Sequence, residues 1–72
     1  MVFNEQIKSL RLEQGKTQGE VAKAIGITTR NYQRLEAEDS IPSYKSLLAL
    51  GEYFQVSLDY LTGRTDRREI NR

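Results

Sequence analysis

The amino-acid sequence predicts an all-α fold, a compact bundle of five short helices, from three observations. The chain has 72 residues, of which 38% are hydrophobic, enough for one small core and too few for two lobes around a deep cleft. Apolar residues recur at steps of three and four, as on one face of a helix, and no stretch alternates as a strand does. Capping residues and glycines divide this pattern into five segments. The helices are predicted at about 4–14, 18–25, 29–36, 44–54 and 58–62.

Local capping signals set the boundaries of the first three helices. The segment Thr17–Glu20 (TQGE) is a capping box, in which the Thr17 hydroxyl and the Glu20 carboxylate each accept a hydrogen bond from the other residue's backbone N–H. Gly15 can end the first helix in a left-handed conformation, and Gly26 can end the second in the same way. Thr28 is the expected N-cap of the third helix.

Pro42 and two serines bound the last two helices. Because Pro42 cannot continue a helix, Ser43 is expected to cap the fourth one. Ser57 is expected to cap the short fifth helix, which ends before Gly63. Gly51 falls inside the fourth helix, where glycine costs about 1 kcal/mol relative to alanine. Either a neighbouring segment packs too closely there for a Cβ atom, or the helix bends.

The composition limits the possible functions. There is no cysteine and no histidine, so disulfides, the commonest metal ligands and the commonest general base are absent. We expect no enzymatic activity, no cofactor, no metal and no small-molecule ligand. No apolar run approaches the about 18 residues of a membrane span, and no signal peptide is evident, so we expect a cytoplasmic location. Residues 1–63 are expected to form one domain, followed by a polar tail at 64–72 that frays.

The charges are unevenly distributed along the chain. Residues 8–34 carry six basic and two acidic side chains, a net charge of +4, whereas 36–59 carry a net −4 and 64–72 a net +2. A basic half suits a polyanionic partner on one face of the protein. The alternative is a solvated surface on which like charges happen to cluster, and charge alone does not decide between them.

Residues 18–37 have the pattern of two short helices joined by a tight turn. Ala22 falls where the helices would cross and must be small, and Gly26 supplies a left-handed corner. The inner faces are expected to bury Ile25, Ile27, Tyr32 and Leu35. The other side of the third helix keeps five polar side chains that no core requires: Thr28, Thr29, Arg30, Gln33 and Arg34.

Six matches carry a resemblance: Ile7–Arg11 (IKSLR), Thr17–Ile25 (TQGEVAKAI), Gly26, Tyr32–Glu36 (YQRLE), Pro42–Ser43 and Val56–Gly63 (VSLDYLTG). In this order and spacing, they make the sequence resemble the lambda Cro/repressor-type (XRE-like) helix-turn-helix family of phage and bacterial transcription regulators. The resemblance covers about residues 4–63 and implies a motif at 18–37 whose second helix enters the DNA major groove. It also implies a repressor that binds a palindromic operator, usually as a homodimer. We therefore expect double-stranded DNA as the partner and a nucleoid-associated protein.

The resemblance and the side-chain chemistry together give two sets of expected DNA contacts. The five polar residues of the third helix are the candidates for reading bases, since an arginine can donate to O6 and N7 of guanine and a threonine methyl group can contact thymine. Of Gln33 and Arg34, one is expected to face a base and the other the DNA backbone. For Arg30, phosphate contact is the alternative. A second set is expected to contact phosphate, although its lysines can equally be solvated: Lys16, Thr17, Gln18, Lys23 and Asn31.

The resemblance also implies two features outside the reading helix. Arg11 and Glu36 would form an ion pair that fixes the third helix, and removing one partner of a buried pair costs about 3–5 kcal/mol. Candidates for a dimer interface are Phe54, Val56, Leu58 and Leu61. These four side chains could equally close the core of the monomer, and the sequence leaves both possibilities open.

The loop after the third helix departs from the family pattern. Many relatives continue there with a glycine and basic residues, whereas this chain has Ala37–Ser40 (AEDS). Because Glu38 and Asp39 would repel phosphate, the loop is expected to turn away from DNA or to make few contacts, with a modest and salt-dependent affinity. The acidic second half also supports an alternative function. This alternative is a protein-interaction module on the same fold, antitoxin-like or an anti-repressor partner, with little base readout.

Overall fold

The computed structural model describes residues 2–37 and 42–69, and within these ranges the chain forms five helices and no strand. The helices are α1 (Val2–Glu13), α2 (Gln18–Ile25), α3 (Thr29–Ala37), α4 (Tyr44–Phe54) and α5 (Leu58–Leu61). The prediction of an all-α, five-helix domain is confirmed. The observed bounds lie within two residues of the predicted ones, the largest difference being that α1 begins at residue 2 instead of residue 4.

The capping box at the start of α2 forms as the sequence predicts. Thr17 Oγ1 accepts from the Glu20 backbone N–H at 3.1 Å, and Glu20 Oε1 accepts from the Thr17 N–H at 2.9 Å. Gly26 ends the helix in the left-handed region with a φ of 80°, where a residue without a Cβ atom is unstrained. The capping box therefore fixes the start of α2, and Gly26 forms the turn that leads to α3.

Two serines start the last two helices. Ser43 Oγ accepts from the Ser46 N–H at 3.2 Å, and Ser57 Oγ accepts from the Tyr60 N–H at 3.0 Å. Each hydroxyl satisfies a backbone donor that has no partner within the helix. The helix α4 is capped at its C-terminus by Gln55, which takes the left-handed conformation with a φ of 57°, a position more often occupied by glycine.

Gly51 lies where α4 touches the connection to α5. A Cβ atom on Gly51 would lie 2.9 Å from Leu58 Cδ2 and 3.3 Å from Val56 O. Both distances are shorter than ordinary van der Waals contact, so a side chain at this position would require Leu58 and the Val56 backbone to shift. Of the two alternatives that the sequence left open, the structure shows the close approach of a neighbouring segment.

The core draws side chains from every helix. Its buried apolar residues are Phe3, Ile7, Leu10, Val21, Ala22, Tyr32, Leu50, Phe54, Val56, Tyr60 and Leu61. Three of the four candidates for a dimer interface, Phe54, Val56 and Leu61, are therefore core residues and are not available to a partner. Their burial follows from the close packing of α5 against α4, and only Leu58 remains partly exposed.

Residues 64–69 fold back onto the domain, which differs from the expected frayed tail. The Ser57 N–H donates to Arg68 O at 2.8 Å. Arg68 Nη1 donates to Glu13 Oε1 at 2.9 Å, and Arg68 Nε donates to Tyr60 Oη at 3.1 Å. The Arg68 side chain thus contributes two of the hydrogen bonds that hold a segment with little apolar surface of its own, while residues 70–72 lie outside the described part of the chain.

Two other expectations concern the acidic loop after α3 and the absence of a membrane-spanning helix. The acidic loop with Glu38 and Asp39 lies outside the described residues. Across residues 2–37 and 42–69, no helix has the length and apolar character needed to cross a bilayer.

Candidate nucleic-acid interface

The outer face of α3 is a polar surface turned away from the core. Tyr32 is fully buried and Glu36 is 7% exposed, and because they lie one turn apart they anchor the same side of the helix. On the opposite side Arg30 and Arg34, also one turn apart, are exposed, as is Gln33. The structure therefore brings the expected base-reading side chains of α3 together on one face that meets solvent.

The first turn of α3 lies beside the first turn of α2. Thr28 is the N-cap of α3, and its Oγ1 accepts from the Asn31 backbone N–H at 3.1 Å. Thr29 Oγ1 lies 3.5 Å from the position that a Cβ atom on Gly19 would take. The base-reading candidate Thr29 thus lies beside Gly19, which follows the phosphate-contact candidate Gln18 in the chain. The side chains of Asn31 and Lys23 are also exposed.

The N-terminus of α2 holds three of the expected phosphate contacts. Lys16 and Thr17 are exposed, and Gln18 is half-buried. The first backbone bond of the helix runs from Val21 N to Thr17 O at 3.2 Å, so the N–H groups of Gln18 and Gly19 have no acceptor within α2. Free N–H groups and the positive end of the helix dipole make this terminus suitable for an anion.

Arg11 on α1 and Glu36 on α3 form a two-pronged ion pair behind this surface. Arg11 Nε donates to Glu36 Oε2 at 2.7 Å, and Nη2 donates to Oε1 at 3.0 Å. The two side chains are only 11% and 3% exposed. Arg11 Nη1 also donates to Lys16 O at 2.9 Å. The pair therefore ties α1 and the turn before α2 to the end of α3, the arrangement that the resemblance implies.

Burial and charge act on this ion pair in opposite directions. Burial alone raises the pKa of the Glu36 carboxyl, but hydrogen bonds, those of Arg11 first, outweigh burial and hold this pKa below its ordinary value. Hydrogen bonding to Glu36 raises the pKa of Arg11. Burial also raises the pKa of the Tyr32 phenol. At neutral pH the pair is therefore fully charged and its tyrosine neighbour is neutral.

Three residues take part in this site without having been identified in these roles from the sequence. Gln18 Nε2 donates to Glu36 Oε1 at 3.2 Å, and Asn4 Nδ2 donates to Glu36 O at 3.2 Å. Lys8 lines an open cavity of about 440 Å³ beside the N-terminus of α2, together with Arg11, Thr17, Gln18, Glu36 and Ala37. The step of three from Lys8 to Arg11 puts both on one face of α1 and was the available signal.

Comparison with known proteins identifies the family. A family model described as helix-turn-helix matches residues 7–61. The chain belongs to this family. The resemblance seen in the sequence is thereby confirmed, and the matched range includes both α2 and α3.

Relatives of this helix-turn-helix chain include transcriptional regulators. The chain is 30% identical over 64 residues to the cryptic phage CTXphi transcriptional repressor RstR of Vibrio cholerae, covering 89% of this chain and 57% of that protein. It is 37% identical over 60 residues to the uncharacterized HTH-type transcriptional regulator YqaE of Bacillus subtilis, covering 83% of this chain and 52% of that protein. The chain thus spans little more than half the length of these curated relatives.

A solved structure shares the fold of this helix-turn-helix chain. It is the P22 c2 repressor protein in complex with a synthetic operator, with a TM-score of 0.78 and 28% sequence identity. The similarity covers 85% of this chain and 92% of the chain in that structure. The five-helix arrangement is therefore the one found in a repressor crystallised on operator DNA.

Proposed function

We propose that this chain is the sequence-specific, double-stranded-DNA-binding part of a transcription regulator, a repressor of phage or bacterial type. The observation that carries the proposal is the exposed face of α3, which presents Arg30, Gln33 and Arg34 while Tyr32 and Glu36 hold its other side in the protein. In this proposal, α3 lies in the major groove. Membership of the helix-turn-helix family and similarity to repressors support it.

Base reading falls to the side chains along the outer edge of α3. Arg30 donates to O6 and N7 of a guanine, a contact that contributes about 1–3 kcal/mol of discrimination against the wrong base. Gln33 and Arg34 lie further along the same helix, where one contacts a base and the other contacts the DNA backbone. Thr28 keeps a methyl group for thymine, since its oxygen caps the helix, and Thr29 lies beside it.

Phosphate binding falls to the start of α2 and the lysines around it. The unbonded N–H groups of α2 meet one phosphate, and Gln18 donates to the same group from its side-chain amide. Lys16, Lys23 and Asn31 add contacts along the backbone. This part of the interface carries no sequence information, but it fixes where α3 stands in the groove.

A homodimer on a palindromic operator is the proposed assembly. One α3 helix offers few base-reading side chains, and two copies on matched half-sites multiply their selectivity. The dimer surface in this proposal is the groove of about 300 Å³ beside Leu48 and Leu58. Leu48 is 37% exposed and Leu58 is partly exposed, whereas the other candidates belong to the core.

Selection of bound DNA from a random pool, followed by mobility-shift titration, tests the proposed function. We expect the wild-type chain to select a preferred DNA sequence. The Arg30→Ala variant should bind this sequence no more tightly than it binds random DNA. Lys23→Ala is expected to weaken binding to all sequences alike. Arg67→Ala is the matched control, because Arg67 is an exposed arginine in the segment that lies against α5. Equal weakening by Arg30→Ala and Lys23→Ala, with no preferred sequence, would favour the protein-interaction module instead.

A further inference from the structure

The amide of Gln18 is held by a carboxylate that cannot move away. Gln18 Nε2 donates to Glu36 Oε1 at 3.2 Å. The same carboxylate accepts both prongs of Arg11, at 2.7 and 3.0 Å, and the Glu36 side chain is only 3% exposed. Bidentate bonding fixes both the position and the plane of a carboxylate. Gln18 is therefore bonded to a rigid partner and not to another mobile surface group.

This partner selects one of the two orientations of the Gln18 amide. An ionised carboxylate only accepts hydrogen bonds, whereas an amide has a donating and an accepting end. A flipped amide would set its Oε1 against Glu36, acceptor against acceptor. The nitrogen therefore faces Glu36, and its second hydrogen remains to donate. A phosphodiester oxygen also only accepts, so this hydrogen is what a DNA phosphate requires from Gln18.

We propose that Glu36 is a positioning residue for phosphate binding, which holds the Gln18 amide ready to donate to DNA. The inference rests on the proposed function and adds a residue that does not itself touch DNA. Because Glu36 belongs to α3, it links the phosphate contact of α2 directly to the reading helix. One side chain thereby sets the distance between the phosphate contact and the base-reading residues Arg30 and Arg34.

A purely electrostatic role of Glu36 would have the opposite consequence for binding. A negative charge behind the interface repels DNA, so its removal should strengthen binding of every sequence. The positioning role predicts that removal of the carboxylate abolishes the contribution of Gln18. The two roles are separated by asking whether the effect of Gln18→Ala depends on Glu36.

A double-mutant cycle on DNA affinity makes this test. The background is Arg11→Met with Glu36→Met, because apolar replacement of a whole buried ion pair commonly preserves folding. In the wild-type chain we expect Gln18→Ala to weaken binding about tenfold, the effect of losing one hydrogen bond to a charged group. In the Met–Met background we expect a factor below about two. The same factor in both backgrounds would overturn the inference.

Lys23→Ala is the matched control for the cycle. Lys23 is an exposed phosphate-contact candidate on the same helix and makes no hydrogen bond to the pair within the described residues. We expect Lys23→Ala to weaken binding by the same factor in both backgrounds and to lower the salt slope by about 0.9. Gln18→Ala should leave the salt slope unchanged because Gln18 is neutral. A wild-type chain that selects no DNA sequence would instead refute the proposed function itself.

A second measurement needs no variant and covers the case of a Met–Met chain that does not fold. In an acid titration followed by NMR, we expect the Gln18 side-chain amide nitrogen to shift with the same midpoint as the Glu36 carboxyl carbon. On addition of the selected DNA at neutral pH, the same amide should shift again. An amide that ignores either the protonation of Glu36 or the DNA would overturn the inference.

Discussion

The junction of α1, α2 and α3 and the junction of α4 and α5 share the apolar core but differ in the contacts added to it. At the first junction the apolar core side chains are accompanied by buried polar groups, with Arg11 paired to Glu36 at 2.7 Å and Gln18 bonded to the same carboxylate. At the second junction the contact is apolar and steric, with Gly51 pressed against Leu58. Hydrogen-bonded ions have directional geometry, whereas apolar contacts do not. The polar junction is the one that borders the proposed DNA surface, where direction matters.

The polar junction should be the more sensitive to loss of one partner. We expect Arg11→Ala to lower the free energy of unfolding by about 3–5 kcal/mol, because it leaves the Glu36 charge buried without compensation. Urea denaturation followed by circular dichroism measures this. The Met–Met replacement of both partners is the control and should recover most of the loss. A cost below about 1 kcal/mol for Arg11→Ala would mean that the pair is not effectively buried.

The apolar junction should be sensitive to added volume. We expect Gly51→Ala to destabilise the domain by about 1–3 kcal/mol, since the new Cβ atom meets Leu58 and the backbone of Val56. Urea denaturation again provides the measurement. In the Leu58→Ala background, where the crowded methyl group is absent, Gly51→Ala should lower the free energy of unfolding by less than it does in the wild-type chain. If the two substitutions change the free energy of unfolding additively, the close contact between Gly51 and Leu58 is contradicted.

Acid should weaken the polar junction selectively. The pKa of Glu36 is lower in the folded chain than in the unfolded one, so its stabilisation is complete above about pH 4.3, the ordinary Glu value. It is lost as the pH falls through the lower, folded value. We expect the wild-type urea midpoint to fall more steeply in this acid range than that of the Met–Met variant. Parallel pH profiles would contradict the lowered pKa.

The smallest expected effect concerns a second glycine in a helix. Among the described residues, a Cβ atom on Gly19 would meet Thr29 Oγ1, at 3.5 Å, and Thr17 Oγ1, at 3.9 Å, which are ordinary contacts. Gly19→Ala should therefore stabilise the domain by up to about 1 kcal/mol through helix propensity. Thermal unfolding of Gly19→Ala beside Gly51→Ala measures the contrast. A loss of stability for Gly19→Ala would mean that the α2–α3 contact is tighter than the structure shows.

The fold was predictable because its boundaries are decided locally. Thr17 and Glu20 are three residues apart, and Ser43 and Ser57 cap donors three residues ahead. Such capping signals lie within a few consecutive residues and can be recognised without knowledge of the tertiary structure. The same holds for the outer face of α3, whose polar residues are separated from the buried Tyr32 by the helical period alone.

The contacts that escaped prediction join residues far apart in the chain. Arg68 bonds to Glu13 across 55 positions, and Gln18 bonds to Glu36 across 18. No periodicity marks such pairs, and a polar tail with one apolar residue gives no sign of a single arginine that docks it. The dimer candidates show a related limit, because a hydrophobic pattern does not distinguish a core from an interface.

The most direct test of the central claim is interference by methylation of guanine N7, which lies in the major groove. On the selected DNA site, we expect N7 methylation of at least one guanine to block binding of the wild-type chain. The Arg30→Ala variant should bind methylated and unmethylated DNA at that position equally. Undisturbed binding of the wild-type chain to DNA methylated at every guanine of the site would contradict a reading helix in the major groove with Arg30 on a base.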